Sequence, residues 1–401
     1  MYSFTLLLTL LLSTVCGTIS TSTAKPRTFY SIDLNYRNGN YTTTVGVGTP
    51  KQEIEAIFST TTRYAILPIV GCVNNKFDNC KTNKNLFDTT KSTSFKSTKS
   101  RFSNNFSGVI VNGTYADDIF ELNYSNTPPT NPARPLHFKT ASFTNVAQGI
   151  LALPSLAKEK YIEQSSLVHN VINGSSAEAL FTVFMKKCDK TECEKSGRVT
   201  IGYKDTENCQ DPITWYKMGP NARWTWKLSS AAVKVNGDVI KQDVTTAFDI
   251  MLDVIELPER VLKLFLNKIE YGVSDDGYTV PCDTKIDLAI QFKNQSYAIP
   301  QEKLVKNEDG TCKLLVRKAD GHIIKLGQPW AVSYCQIFDI KGRDYGISAV
   351  KAVSDDSNGS GNNEPENVTD EPEKDDEEDD NNDDKPSGIN PNGKNLDDMG
   401  F

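Results

Sequence analysis

Histidine is scarce in this chain. There are three in 401 residues, His137, His169 and His322, and none is spaced to share a metal ion. They are expected to be surface or structural residues, with no metal bound. No Gly-x-Ser-x-Gly elbow occurs, so a serine hydrolase has no support. Beyond the N-terminus no apolar run approaches the ~20 residues a membrane helix needs, so no membrane span is expected. Lys and Arg are scattered without a nucleic-acid-binding motif, which argues against a nucleic-acid partner. No cofactor is expected.

What is present points outward from the cell. Residues 1–20 begin with a short apolar run, Tyr2 to Val15, followed by the small residues Cys16-Gly17-Thr18, as in a secretory signal peptide. Of nine cysteines, eight remain beyond Cys16, an even number that implies disulfides in an oxidising compartment. Asn-x-Ser/Thr sequons occur at Asn40, Asn105, Asn112, Asn123, Asn173, Asn294, Asn358 and Asn367. A secreted or endolysosomal glycoprotein is the expectation. The net charge of −7 is unevenly spread: residues 354–401 hold 17 acidic groups and 3 lysines, leaving the rest of the chain at +7. That final segment has almost no apolar residues and should be disordered. It is read as a solvating extension, with docking on a basic partner or weak Ca²⁺ association as the functional alternatives.

Residues 30 to 353 are short stretches rich in Thr, Val, Ile, Phe and Tyr, broken by Gly, Pro, Asn and Asp, which predicts a mostly-β protein. Ser229 to Val235 and Asp238-Val239-Ile240 flank Asn236-Gly237, a hairpin turn signal. Helices are predicted over Leu257–Leu266, where Pro258 sits near the start, and over Ser166–Ile172. Ala56-Ile57-Phe58-Ser59 and Thr246-Ala247-Phe248-Asp249 are alike and 190 residues apart. An apolar-Leu-Gly/Ala step follows each, ending at Ala152 and Gly327. This internal likeness suggests two related lobes.

Several segments, in order, carry a family resemblance. Gly46-Val47-Gly48-Thr49-Pro50-Lys51-Gln52 precedes Phe58-Ser59-Thr60-Thr61. Phe87-Asp88 to Phe95, Gln148 to Leu153, Gly197 to Gly202, and Tyr334-Cys335-Gln336-Ile337-Phe338-Asp339 follow. Together they resemble the pepsin-like aspartic protease family (peptidase A1), most closely its nematode branch, from about Tyr30 to Val353. The resemblance implies a bilobal fold: an N-terminal lobe over 30–204, a C-terminal lobe over 205–353, a pseudo-two-fold relation and a long cleft between. It also implies the pairs Cys72–Cys80, Cys188–Cys193, Cys209–Cys335 and Cys282–Cys312, and a monomer.

The family's chemistry needs two carboxylates that share a proton and hold a water. Here Ser59 stands at the first carboxylate position, while Asp249 retains the second. A serine hydroxyl can hydrogen-bond a water but cannot serve as the general base or acid. The resemblance places Thr61 and Met251 at glycine positions, Ala152 at a third, and Ile250 at a threonine that would bridge the lobes opposite Thr60. It aligns Phe106 with the flap tyrosine and Ile66 with that residue's tryptophan partner. Only about a dozen residues separate the signal from the first strand, where active relatives have a basic pro-segment. The expectation is a secreted, glycosylated pseudo-protease that binds peptide or protein ligands in its cleft. The alternatives are residual aspartic-type proteolysis through Asp249 and an extracellular interaction protein acting through its acidic tail.

Overall fold

The computed structural model describes residues 29–73, 85–106, 108–126, 133–153, 165–173, 175, 177–219, 222, 225–275 and 277–351, with the side chains of residues 231 and 242 excepted. One compact unit runs through Ala352, and Val353–Phe401, a separate unit, lies outside the described residues. The described chain is mostly β and bilobal, in sheets of thirteen, seven and four strands. The seven-stranded sheet centres on the antiparallel pair Lys227–Val235 and Asp238–Phe248. Asn236 and Gly237 join that pair with φ of 49° and 87°, the left-handed conformations that make Asn-Gly a tight hairpin turn. Both predicted helices form. Glu259–Leu266 follows Pro258, whose fixed φ suits the entry, and it buries Val261, Leu262, Phe265 and Leu266. Leu167–Asn173 buries Leu167, Val168, Val171 and Ile172.

The internal likeness is realised as equivalent strand geometry in the two lobes. Gln52–Ser59 runs parallel to Gly149–Ala152, with Phe58 opposite Leu151 and Ser59 opposite Ala152. In the other lobe Asp238–Phe248 runs parallel to Ile324–Leu326, with Phe248 opposite Leu326. A parallel pair needs a long connection between its strands. That is why the two strands of each pair lie so far apart in sequence.

The thirteen-stranded sheet does not stop at the expected lobe boundary. Tyr334–Asp339 pairs antiparallel with Leu180–Met185, and the following strand Asp344–Ala349 carries Thr214–Lys217 on its far edge. Late chain is thus hydrogen-bonded onto early chain, and Cys209–Cys335 closes 126 residues across that region. Cys188–Cys193 and Cys282–Cys312 are also bonded as the resemblance implied. Cys72 is disulfide-bonded, but Cys80 lies outside the described residues.

One core cluster spans both lobes. Phe248 stacks on Tyr345 at 3.8 Å, and Phe181 stacks on Phe338 at 4.6 Å. Tyr345 has no exposed surface, and burial pushes its hydroxyl well above the ordinary tyrosine range. Its polarity is satisfied on both sides: Trp330 Nε1 donates to it at 3.1 Å, and it donates to Gln336 Oε1 at 2.9 Å.

Gly327 directly follows the parallel strand Ile324–Leu326. A Cβ there would lie 2.2 Å from the Val254 carbonyl oxygen and 2.4 Å from that of Leu252. Neither backbone oxygen can rotate away. Gly327→Ala is therefore expected to destabilise the protein by about 1–3 kcal/mol, the usual range for overpacking. Urea denaturation followed by tryptophan fluorescence checks this; an unchanged midpoint would mean the loop yields freely.

Candidate active site

Both loops begin where a core strand ends. Ser59 is the last residue of its strand, and its Oγ accepts the backbone N–H groups of Thr61 at 3.1 Å and Thr62 at 3.2 Å. The hydroxyl also sits 3.2 Å from Thr61 Oγ1. It thus holds its own turn in place, as a short polar side chain does in a local side-chain-to-backbone motif. Asp249 follows its strand directly, and its Oδ1 accepts the Met251 N–H at 3.2 Å. The Asp249 N–H donates to Leu326 O at 3.0 Å, and its carbonyl accepts the Leu252 N–H at 3.1 Å. Neither Ser59 nor Asp249 has exposed surface.

The loops meet through Thr60. Its Oγ1 donates to the Phe248 carbonyl at 2.8 Å, a buried bond between residues 188 positions apart. Ile250, the counterpart of Thr60 in the second loop, has no hydroxyl to return that bond. It is 3% exposed and joins the common apolar core instead. Where the resemblance implies a polar residue in each loop, this junction holds one hydrogen bond from Thr60 and an apolar residue at Ile250.

Met251 stands at the next position and turns toward the N-terminal lobe. It packs against a separate cluster of Ile57, Ile66, Val109, Val111, Ala141 and Ile150. Phe106 packs on the same cluster. It sits at the end of Lys96–Phe106, paired with Val109 at the tip of the hairpin made with Val109–Leu122. The resemblance aligned Phe106 and Ile66 with a hydrogen-bonding tyrosine and tryptophan, and here both contribute apolar surface. The third substitution, Ala152, is accommodated opposite Ser59 with 2% exposure, and its carbonyl accepts the Ser166 hydroxyl at 2.9 Å. At Gly327 in the other lobe there is no room for the same Cβ. The first loop has adjusted to a side chain that the second could not hold.

Sequence reasoning passed over Lys139. It lies in Arg134–Thr144 within a buried run, Phe138 to Ala141, because this strand is covered on both faces. Its Nζ lies 4.6, 4.9 and 5.3 Å from the ring centroids of Phe102, Tyr64 and Tyr115, and donates to Asn104 Oδ1 at 2.5 Å. Phe102 and Asn104 belong to the flap hairpin, so the amine ties that hairpin to the sheet below. Burial, and secondarily the Arg63 charge, lower its pKa to about 8. A lysine inside an aromatic-rich strand was the available signal, but alternation of apolar and polar residues could not reveal which face it occupied. Nearby His137 has a structural role: its Nδ1 is 2.7 Å from Asp117 Oδ1, and its ring stacks on Tyr115.

Among the sequon asparagines, Asn105 (beside Phe106), Asn173 and Asn294 are exposed. Asn40, Asn112 and Asn123 are half-buried, and Asn358 and Asn367 lie outside the described residues.

Two equivalent loops at the ends of parallel strand pairs, meeting between two β lobes under a hairpin, define the pepsin-like bilobal class. The eukaryotic aspartyl protease family model matches residues 40–350, and the chain belongs to that family. Pepsin A of Gallus gallus is 25% identical over 343 residues, covering 80% of this chain and 86% of that protein. Aspartic protease 1 of Caenorhabditis elegans is 23% identical over 334 residues, covering 79% and 83%. The vacuolar aspartic protease of Candida albicans is 23% identical, covering 79% and 77%.

Two outcomes follow from this geometry. Thr60→Val keeps the shape but leaves the buried Phe248 carbonyl without its donor, so a loss of about 1–3 kcal/mol is expected in chemical denaturation. For Lys139, the folded state gives up its proton at about 8 while the unfolded chain holds it to the ordinary 10.5. Stability contributed by this group therefore rises with pH across that window, since the unfolded state binds more protons there. Lys139→Met should flatten the rise, and urea midpoints measured from neutral to alkaline pH would show it.

Proposed function

We propose that this chain is a secreted, glycosylated pseudo-protease whose cleft binds peptide or protein segments without cleaving them. The observation that carries the reading is Ser59 at the first carboxylate position, with its hydroxyl engaged by its own loop. Shared-proton chemistry requires two carboxyl groups whose ionisations are pushed apart by their closeness. Asp249 has no such partner in Ser59. Its place in this reading is structural, as an acceptor for the turn at Met251.

The surrounding substitutions support the same conclusion. Ile250 replaces a polar junction residue with an apolar one. Met251, Phe106 and Ile66 bring apolar side chains together where the family would handle a water and a scissile carbonyl. Secretion and glycosylation rest on the N-terminal apolar run, the bonded cysteines and the exposed sequons. Among the described residues no helix is long and apolar enough to cross a membrane.

Purified protein is expected to leave acid-unfolded haemoglobin intact at acidic pH. Pepstatin-sensitive hydrolysis that disappears in Asp249→Ala would overturn the reading. Ser59→Asp alone is expected to stay inactive, because Met251, Ile250 and Phe106 still reshape the site. Measurable turnover in that single variant would show the remaining machinery to be intact.

A further inference from the structure

A cavity of about 260 Å³ lies between the lobes, beside the second loop. Asp253, four residues beyond Asp249, forms part of its wall. Gln328 spans the lobes there, its Nε2 donating to the Gly39 carbonyl at 2.9 Å. Its lining includes four lysines, Lys187, Lys303, Lys306 and Lys313, and two acidic residues, Asp253 and Glu308. The volume is below the ~300–1,000 Å³ of sites for drug-sized ligands, and suits one or two side chains.

The charges are not equally committed. Lys306 and Lys313 lie 2.9 and 2.8 Å from the two Glu308 oxygens, and together they lower that carboxyl to about 2. Glu308 therefore stays ionised through mildly acidic pH and keeps both lysines occupied. Lys187 reaches Asp189 at 2.7 Å, and Asp253 faces Arg317 at 3.8 Å. Among the described residues, Lys303 has no carboxylate within 4.0 Å. The neighbouring wall is aromatic. Tyr36 and Tyr41 pack edge-to-face at 5.2 Å, and the Tyr41 hydroxyl is already donated to the Lys186 carbonyl. An uncompensated ammonium in a half-enclosed, partly apolar recess attracts an anion more strongly than one in open water.

We propose that this cavity receives an acidic side chain of a bound peptide, with Lys303 as its counter-ion. The inference rests on the cleft being a binding groove and adds the class of peptide: one carrying Asp or Glu at the position that reaches the recess. An acidic peptide suits the site better than a sulfated polysaccharide. The recess admits isolated side chains, while a polyanion would need a continuous surface of free cations, and three of the four lysines are already paired.

The test uses full-length protein and a fluorescein-labelled Glu-Ala-Glu-Phe-Glu-Ala peptide, compared with its Gln-for-Glu analogue by fluorescence anisotropy at neutral pH. The acidic peptide is expected to bind at least ~10-fold more tightly than the analogue, with the preference shrinking as salt rises. Lys303→Glu should abolish the preference, and Lys303→Gln should reduce it by an intermediate amount. Lys241→Glu makes the same charge change outside the cavity and should leave the preference in place. Equal binding of the two peptides, or equal weakening by Lys241→Glu and Lys303→Glu, would overturn the assignment. So would a heparin oligosaccharide that binds through Lys303 when the peptide does not. Mass spectrometry of the recovered peptide separates the two readings: cleavage counts against the non-catalytic function, while loss of charge preference counts against this site.

Discussion

The hydrogen bond from Thr60 to the Phe248 carbonyl is the point at which the two loops are joined. On one side it fixes the turn that Ser59 organises. On the other, Phe248 is the last residue of its strand, and its ring stacks on Tyr345 in the core. Tyr345 belongs to the hairpin that returns late chain to the first sheet. Loop, core and lobe connection therefore converge on one residue. A buried carbonyl at such a position needs a donor, because leaving it unpaired in a low-dielectric interior costs more than an ordinary hydrogen bond contributes.

The two loops have diverged from each other in a way packing explains. The first keeps its bridging hydroxyl at Thr60 and has made space for Ala152. The second has Gly327, where backbone oxygens crowd the position, and carries Ile250 and Met251 where the resemblance implies bridging and turn residues. Those two side chains move a polar junction toward apolar packing, one into the shared core and the other against the flap cluster. Glycine stands where a Cβ has no room, and apolar side chains stand where the neighbouring contacts are apolar.

Charge has been placed with equal selectivity. Beneath the flap, the Lys139 amine is surrounded by three rings and one amide oxygen, and its burial there favours the neutral form over the charged one. Beside the second loop, four lysines surround a recess, with one carboxylate shared between two of them. The first arrangement joins structural elements; the second leaves a cation available. Burial and counter-ion geometry separate these roles, since both involve the same residue type.

Much of the architecture was legible in the chain. Asn236-Gly237 demanded a hairpin because both residues accept positive φ, and Pro258 marked a helix start because its ring and missing N–H suit that place. The repeated Ala-Ile-Phe-Ser and Thr-Ala-Phe-Asp segments pointed to two equivalent loops, with Ser59 where the resemblance expects a carboxylate. These are local properties of residue type and spacing, which the sequence carries directly. It could not show that the Ser59 hydroxyl turns back on its own loop, that Met251 reaches the flap cluster, or that Lys139 is enclosed while Lys303 meets no carboxylate among the described residues. Those are decided by contacts between segments up to hundreds of residues apart. Only the folded chain determines which faces are covered and which polar atoms find partners.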